Sequence, residues 1–372
     1  MSTPQDVDDY RRAHVPLYNA NRMKLGVFGI NVSGGGTISR APTTLQPTFE
    51  HNLAVARAAE AAGFEFIVPF GRWKSFGGAT EYNGSCMEVY TWAAALAACT
   101  EKIMLFATSH VGTVHPVLAA KQGATIDHIS NGRWGLNVVC GWYTPEMEMF
   151  GAAQLGHDER YQRAGEWIGV IKRLWSENHF DHHGTHYRVT DGYLEPKPVQ
   201  RPYPVIVNAG ASEAGREFSA RHVDFNFITM DSNESARRLA ADVRARARSH
   251  GREIGVLANG YVIVRDTERE ARAALEAIVA AGDWAAARTI MRVLGIESDS
   301  FKAQIDQFAR RFVVGWGGFL LCGSPEQVVT GFLELERAGV EGMALMWHDP
   351  AVEIPYFAAH VLPLMRAAGL RL

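Results

Sequence analysis

Cysteine is scarce in this sequence: the 372 residues include only four, and no two of them form a CxxC pair. They are Cys86, Cys99, Cys140 and Cys322. Structural zinc sites and the disulfide frameworks of small secreted domains both need closely spaced cysteines. The spacing argues against either, so we expect reduced thiols and a cytoplasmic location.

An excess of charge of one sign is also missing. The formal net charge is -3 and the sequence pI is about 6.5, which argues against a broad surface for nucleic acid or for an anionic membrane. No apolar run reaches the roughly 18 residues that a membrane span requires. Residues 1–22 are polar and lack the apolar core of a signal peptide. We expect an N-terminal arm over 1–22 and neither a nucleic-acid nor a membrane partner.

Short apolar runs alternate with helical patterns through most of the chain. Strands are predicted at 24–31, 64–70, 102–109, 133–139, 204–210, 224–230, 256–264 and 342–348. The intervening helices are predicted at 49–63, 87–98, 117–129, 159–175, 213–221 and 234–250. Repeated strand–helix units favour a (β/α)8 TIM barrel over an open doubly wound sheet. We expect one domain over 23–372, with an insertion at about 281–323 before the last strand.

One predicted strand carries an amide among apolar residues. Asn137 lies in GLNVV, and Gly141, Trp142 and Pro145 end the run soon after it. A buried amide without a partner costs about 1 to 3 kcal/mol, so Asn137 needs either a backbone partner or something bound at the end of the strand. Barrel enzymes place their active sites at the C-terminal ends of the strands. That rule selects Asn31, Ser33, Gly71, Arg72, residues 108–110, 137–142 and 208–212, Thr229, Trp347 and His348.

Two segments have the features of a phosphate site. In HDERYQRAGEW, Asp158 is placed as the N-cap of a helix, with Arg160 and Tyr161 in its first turn. NAGASEAG places the small residues Ala211 and Ser212 at the start of another helix. Each segment has an ordinary alternative: a capped helix with a surface arginine in the first, and simple turn chemistry in the second.

Histidines suggest a metal site, but their spacing does not support one. HFDHHGTHY at 179–187 lacks the HExxH pattern of a zinc helix and is better explained by a solvated hairpin. His110, His115 and His348 lie near strand ends, where each could serve chemistry or simply be hydrogen-bonded within the fold. Cys140 is expected to be a small buried thiol and not a nucleophile. No metal is expected.

Taken together, three segments resemble the bacterial-luciferase-like flavin monooxygenases. They are ATIDHISNGRWGLNVVCGW, HDERYQRAGEWIGVIKRLW and KPVQRPYPVIVNAGASEAGREFSA. Within that family the chain is most similar to the dimethylsulfone and pyrimidine monooxygenase branch, over about residues 22–368. The resemblance implies reduced FMN as cofactor, a separate NAD(P)H-dependent flavin reductase, O2 and a small organic substrate such as a sulfone, an N-heterocycle or a haloaromatic.

The resemblance also implies roles for individual residues. By position, the FMN contacts would be Gly71, Arg72, Thr108, Asn137, Glu146, Arg160, Tyr161, Ala211 and Ser212. The residues beside the reacting oxygen would be Thr108, Asn137 and Trp142, to which we add His110 as a catalytic candidate. A homodimer or homotetramer is expected by the same resemblance. Two alternatives stay open: an F420-dependent hydride-transfer enzyme and a flavin-binding protein without catalysis.

The sequence departs from its relatives on the expected substrate side. Arg72 stands where the pyrimidine enzymes have lysine, and the loop TSHVGTVHP at 108–116 carries two histidines that the relatives do not lead us to expect. Their substrates are therefore not transferred to this chain. Aromatic residues are expected to exclude water from the reaction, namely Trp73, Phe76, Trp142, Tyr143, Trp316 and Phe319.

Overall fold

The structure is a computed structural model that describes residues 4–294 and 302–372. Its strands are β1 Lys24–Phe28, β2 Phe66–Val68, β3 Met104–His110, β4 Trp134–Val139, β5 Phe180–His183, β6 Arg188–Gly192, β7 Val205–Asn208, β8 Phe225–Ile228, β9 Gly255–Val264, β10 Phe319–Gly323 and β11 Gly342–Met346. Eight of them form a closed parallel ring in the order β1, β2, β3, β4, β7, β8, β9, β11, and β10 pairs with β9 outside it. The fold is a TIM barrel, as the sequence pattern predicted.

Helices lie between the strands of the ring. They are α1 Pro4–His14, α2 Phe49–Ala61, α3 Val89–Ala98, α4 Pro116–Ile129, α5 Thr144–Met149, α6 His157–Ser176, α7 Glu213–His222, α8 Asn233–Ser249, α9 Glu268–Ala280, α10 Trp284–Val293, α11 Lys302–Gly315, α12 Pro325–Arg337, α13 Pro350–His360 and α14 Leu362–Ala367. Within the described ranges, no helix is both long enough and apolar enough to span a bilayer.

The predicted strands are all present, with ends that differ by a few residues. The first was predicted to run to residue 31 but ends at Phe28, because Gly29 has a φ of 77° and turns the chain. The predicted helices did not include α1, the short α5, or the later helices α9, α12, α13 and α14. The predicted insertion contains α10, α11 and β10, and its residues 295–301 lie outside the described ranges.

The chain divides into two compact units. The first contains Met1–Ala20, Glu88–Phe227 and Asp242–Gly255, and the second contains Asn21–Met87, Ile228–Ala241 and Val256–Leu372. The expected division into an arm over 1–22 and one domain over 23–372 stays a prediction.

In the first unit, the N-terminal helix is tied to the sheet by a buried ion pair. Arg11 Nη1 lies 2.9 Å from Asp224 Oδ1, and Asp224 Oδ2 accepts from the Ile206 backbone N–H at the start of β7. Arg11 is 9% exposed and Asp224 is 7% exposed. Removal of one partner from such a pair typically costs 3 to 5 kcal/mol because the other charge stays buried. The polar segment expected to be an arm therefore contains a docked helix.

In the second unit, a similar pair joins the C-terminus to the first two strands of the ring. Arg371 Nη1 lies 2.9 Å from Glu65 Oε2, which also accepts from the Leu25 backbone N–H at 2.7 Å. Both charged side chains are almost completely buried. The last residues of the chain thus hold the start of β1, since one carboxylate serves both partners.

Candidate active site

The first unit places Asn137 beside Thr108 on neighbouring strands. The parallel register pairs these two residues across β3 and β4, and the Asn137 amide donates to Thr108 Oγ1 at 3.1 Å. Asn137 is 5% exposed, and its Oδ1 atom has no hydrogen-bond partner among the described residues. The question raised by the sequence thus has a two-part answer: the nitrogen of the amide is satisfied by the fold, and its oxygen is not.

The chain turns sharply at Gly141, just beyond Asn137. Gly141 has a φ of 77°, a conformation that glycine adopts without steric cost. Its carbonyl accepts from Arg160 Nη1 at 2.7 Å and from Gln154 Nε2 at 3.4 Å. The turn is therefore held by two side chains from farther along the chain and not by Asn137.

Arg160 and Tyr161 lie in the first turns of α6, as predicted, but the predicted cap is wrong. The N-cap is Gly156 and the helix begins at His157, so Asp158 is already inside it. The carboxylate of Asp158 faces solvent and contacts His157 Nδ1 at 2.8 Å. Gly156 has no side chain, so no side-chain cap accepts from the first backbone N–H groups of α6.

Tyr161 brings α6 together with the start of α7. Burial raises the pKa of the Tyr161 hydroxyl, Cys140 raises it further, and a hydrogen bond with Ser212 opposes the shift. Ser212 is the N-cap of α7 and accepts from the Gly215 backbone N–H at 3.1 Å. A Cβ atom on Gly215 would lie 2.6 Å from the Tyr161 hydroxyl, so glycine is needed for this close approach.

Cys140 lies in the same group and is not set up as a nucleophile. Burial raises the pKa of its thiol to about 12, although Arg160 opposes the shift. The thiol is therefore protonated at neutral pH, and the expectation of an inert thiol agrees with this.

The assembled groups fit a phosphate ester and a polar ring. Arg160 supplies a cation whose Nε atom is buried and has no hydrogen-bond partner in the described ranges, and Tyr161 and Ser212 supply hydroxyl groups near a helix N-terminus. Such donors suit a phosphate dianion. The Asn137 oxygen is an acceptor, which suits an N–H group of a flavin ring. The residues present thus match the chemistry of FMN.

The remaining predicted residues of the first unit lie on the same segments. His110 is the last residue of β3 and is 3% exposed, two positions after Thr108 and on the same face of the strand. Trp142 is partly exposed and its ring centroid lies 5.8 Å from that of Tyr143. Glu146 is buried in α5. Ala211 is exposed just before the cap of α7.

Other histidines have structural partners. His115 is the N-cap of α4, accepting from the Val117 backbone N–H at 3.3 Å, and His348 Nε2 lies 2.8 Å from the Pro42 carbonyl. The 179–187 segment contains β5 and leads into β6, and His182 contacts Glu166 at 3.0 Å. No group of three potential metal ligands occurs among the described residues. The antiparallel pairing of β5 with β6 supports the interpretation of residues 179–187 as part of a hairpin. His115 and His348 make hydrogen bonds within the fold.

Gly71 and Arg72 belong to the second unit, after the end of β2. Arg72 is 8% exposed, and its guanidinium carbon lies 5.3 Å from the centre of the Phe76 ring. Trp73, expected to exclude water, is 42% exposed. Phe76 and Trp316 do meet, with ring centroids 5.7 Å apart. That Gly71 and Arg72 contact FMN stays a prediction.

Sequence reasoning missed a polar network behind the site. Asn208 Oδ1 accepts from the Gly210 backbone N–H and from the Ser219 hydroxyl, and Asn226 Nδ2 donates to the Asn208 carbonyl at 3.0 Å. These bonds fix the loop between β7 and α7. The signal was present, because Asn226 interrupts the apolar strand DFNFITM in the same way as Asn137 interrupts its own strand.

Comparison with known proteins agrees with this geometry. A family model described as luciferase-like monooxygenase matches residues 23–342. An FMNH(2)-dependent dimethylsulfone monooxygenase of Pseudomonas putida is 36% identical over 350 residues, which is 92% of this chain and 95% of that protein. The pyrimidine monooxygenase RutA of Cronobacter turicensis is 33% identical over 354 residues, 92% and 93% of the two chains. The crystal structure of DmoA from Hyphomicrobium sulfonivorans aligns with a TM-score of 0.84 at 23% identity, covering 94% of this chain and 89% of that one.

Proposed function

Because this chain belongs to the family of luciferase-like monooxygenases, we propose that it is a two-component, FMNH2-dependent monooxygenase that oxygenates a small organic substrate with O2. Membership of the family confirms the resemblance inferred from the three sequence segments, and with it the enzyme class. Reduced FMN would come from a separate NAD(P)H-dependent flavin reductase. A sulfone, an N-heterocycle and a haloaromatic compound are all admissible substrates.

The observation that carries this proposal is the buried oxygen of Asn137. A buried acceptor without a partner costs about 1 to 3 kcal/mol, and the fold already satisfies the nitrogen of the same amide with Thr108. A bound ring with an N–H donor removes that cost. Reduced flavin carries more ring N–H groups than oxidised flavin, so this acceptor favours the reduced form.

The phosphate of FMN is assigned to Arg160, Tyr161 and Ser212. The Arg160 guanidinium already donates one hydrogen bond to the Gly141 carbonyl, which orients it and leaves its buried Nε atom for a second acceptor. A charge-assisted hydrogen bond of this kind contributes about 1.5 to 3 kcal/mol. The assignment predicts a preference for FMN over riboflavin.

When bound, reduced FMN supplies the electrons with which O2 is activated. The residues of this chain then have to position the ring, donate hydrogen bonds and keep water out. We assign the positioning of the ring and the hydrogen bonding to Thr108 and Asn137, and the exclusion of water to Trp142. His110 can hold or release a proton near the same strand ends, since it follows Thr108 on one face of β3.

Three further features stay predictions of the sequence. They are a homodimer or homotetramer, a cytoplasmic location, and the reductase as partner. None of them affects the assignment of residues in the first unit.

The proposal is tested by giving the purified protein reduced FMN and 18O2 with a panel of sulfones, N-heterocycles and haloaromatics. We expect one class to acquire a single labelled oxygen atom, in proportion to the FMNH2 oxidised. A parallel titration with FMN, riboflavin and F420 should show binding in that order of decreasing affinity.

Two results would overturn the proposal. Tight binding of F420 with hydride transfer in the absence of oxygen would assign the chain to the other cofactor chemistry of this fold. FMN binding without labelled product from any compound of the panel, and with no acceleration of FMNH2 oxidation, would indicate a flavin-binding protein without catalysis.

A further inference from the structure

In the first unit, the loop that follows β3 continues directly from the candidate site. β3 ends at His110, two positions after Thr108, and residues 111–115 lead from there to α4. Inside this loop, the backbone N–H groups of Thr113 and Val114 both donate to the His110 carbonyl, at 3.1 and 3.2 Å. The conformation of the 111–115 loop is therefore coupled to the end of the strand that carries Thr108 and His110.

Two carbonyl groups of this loop accept hydrogen bonds from side chains elsewhere in the unit. The Tyr187 hydroxyl donates to the Val111 carbonyl at 3.1 Å, and the Trp167 indole N–H donates to the Val114 carbonyl at 2.8 Å. Both side chains are buried. The two bonds span 76 and 53 positions of sequence, so they depend on tertiary packing and not on the local turn. We call Tyr187 and Trp167 the loop clamp.

The direction of the Tyr187 hydrogen bond follows from its two partners. Arg163 Nε donates to the phenolic oxygen at 3.0 Å, and a guanidinium can only donate. The Val111 carbonyl can only accept, so the phenolic proton lies on the bond to the loop. Burial raises the pKa of the Tyr187 hydroxyl, although Arg163 opposes the shift. The hydroxyl is therefore protonated at neutral pH and keeps this bond.

Helix α6 supports both halves of the loop clamp. Trp167 belongs to α6, and its neighbour Glu166 accepts from the Tyr187 backbone N–H at 2.7 Å and from the His186 backbone N–H at 2.9 Å. The first turns of the same helix contain Arg160, to which the phosphate of FMN is assigned. One helix therefore connects the assigned phosphate site to the loop after β3.

We propose that Tyr187 and Trp167 are positioning residues for the oxygenation proposed above, on which this inference rests. They act through the 111–115 loop, which they hold against the end of β3 so that Thr108 and His110 keep one geometry. Neither clamp side chain is assigned a contact with the substrate or with FMN.

The clamp affects how the oxygen is divided between two reactions. Productive turnover converts FMNH2, O2 and substrate into FMN, oxygenated product and water. The uncoupled reaction converts FMNH2 and O2 into FMN and hydrogen peroxide. A loop without the clamp admits water and misplaces the hydrogen-bond donors at the end of β3, and both effects favour peroxide.

The chain offers a matched control on the same helix. Trp175 lies about two turns after Trp167 on α6. Trp175 is also buried, and its indole N–H donates to the Ala120 carbonyl at 3.0 Å, within α4. Trp167→Phe and Trp175→Phe thus remove the same group and one hydrogen bond each. Only Trp167→Phe removes a bond to the 111–115 loop.

The first measurement is hydrogen exchange of the 111–115 segment in the apoprotein, read by mass spectrometry. Exchange should be at least about fivefold faster in Tyr187→Phe and Trp167→Phe, a difference of about 1 kcal/mol, and unchanged in Trp175→Phe. Tyr187→Phe keeps the ring and removes only the hydroxyl. It therefore tests the clamp even where Trp167→Phe lowers the yield of folded protein.

The second measurement is the ratio of product to peroxide with saturating FMNH2 and a substrate identified with the panel above. The ratio should fall at least about fivefold in Tyr187→Phe and Trp167→Phe, while affinity for FMN stays within about twofold. Trp175→Phe should keep the wild-type ratio, even where its melting curve shows a comparable loss of stability.

Three results would overturn the inference. They are unchanged exchange of the 111–115 segment in Tyr187→Phe, faster exchange with a wild-type ratio of product to peroxide, and an equal fall of that ratio in Trp175→Phe. The last result would mean that a general loss of stability explains the fall.

Failure of this inference is distinguishable from failure of the proposed function. Each of the three results is obtained beside a wild type that forms labelled product, so it refutes only the role of the loop clamp. A wild type that forms no product from any compound of the panel refutes the proposed function, and the role of the clamp in oxygenation with it.

Discussion

Replacing Asn137 with leucine is the sharpest test of the site, because the structure separates its effects on stability from those on catalysis. The substitution removes one hydrogen bond, from Asn137 Nδ2 to Thr108 Oγ1 at 3.1 Å, which is worth about 0.5 to 1.5 kcal/mol. It also removes a buried oxygen that has no hydrogen-bond partner in the described part of the chain. The loss of this unsatisfied atom raises the free energy of unfolding by about 1 to 3 kcal/mol. The two terms oppose each other. The free energy of unfolding of the apoprotein should therefore change by between about -0.5 and +2.5 kcal/mol.

Catalysis should respond much more strongly. Because a ring N–H of the flavin would lose the Asn137 oxygen as its acceptor, affinity for reduced FMN should fall by about 1 to 3 kcal/mol. Productive turnover should fall roughly 100-fold or more, because the Thr108 hydroxyl would lose the amide that orients it as a preorganised donor. Oxygen should still be consumed, but it should appear as hydrogen peroxide in place of oxygenated product.

The assay measures the ratio of product to peroxide for Asn137→Leu beside a melting curve and a titration with FMNH2. Gln154→Leu is the matched control, since Gln154 is an exposed amide of the same region and its contact with the Gly141 carbonyl is long, at 3.4 Å. The control should keep the wild-type ratio. An unchanged ratio of product to peroxide in Asn137→Leu, whatever its affinity for FMNH2, would refute the catalytic role of Asn137.

Three further predictions concern cofactor binding, pH and redox state. Arg160→Ala should weaken the binding of FMN by about 1.5 to 3 kcal/mol and the binding of riboflavin by little, because riboflavin lacks the phosphate. Equal losses of affinity for the two flavins in a fluorescence titration would contradict the placement of the phosphate at Arg160. Burial, together with the positive charges of Lys172 and Arg252, lowers the pKa of His222 from 6.5 to about 4. The unfolded chain therefore binds the proton more readily, so stability should fall by roughly 2 kcal/mol as the pH drops from about 6.5 to 4, and His222→Gln should flatten that slope in urea melts. All four cysteines are free thiols, so a reductant should leave the melting temperature and activity unchanged; a lower melting temperature would reveal a disulfide.

Local pattern in the sequence was sufficient for the architecture. Apolar runs of strand length alternate with helical periodicity, and this alternation depends only on neighbours along the chain, so the eight strands of the ring were all predicted. The ends were less accurate. Gly29 turns the chain at the end of β1, and Gly156 takes the capping position expected of Asp158, because backbone conformation at a glycine is not determined by its neighbours alone.

The candidate site was also partly predictable. A buried amide in an apolar strand signals a special partner, and the rule on strand ends placed Asn137 and Thr108 on one short list. The same signal at Asn226 went unused, although that residue supports the loop before α7. What the sequence could not decide was which half of the Asn137 amide is satisfied by the fold, since that depends on the register between β3 and β4.

By itself, then, the sequence determined the barrel and the family, and it singled out the segments of the candidate site. Only the tertiary structure decided that Tyr161 meets Ser212 and that Arg160 holds the turn at Gly141. It also decided that the indole of Trp316 donates to Tyr82, which lies 234 positions away in the sequence. The physical reason is the range of the interactions. Helix and strand periodicity reflect contacts within a few residues, whereas the meeting of distant side chains depends on strand register and loop packing that the whole core determines at once.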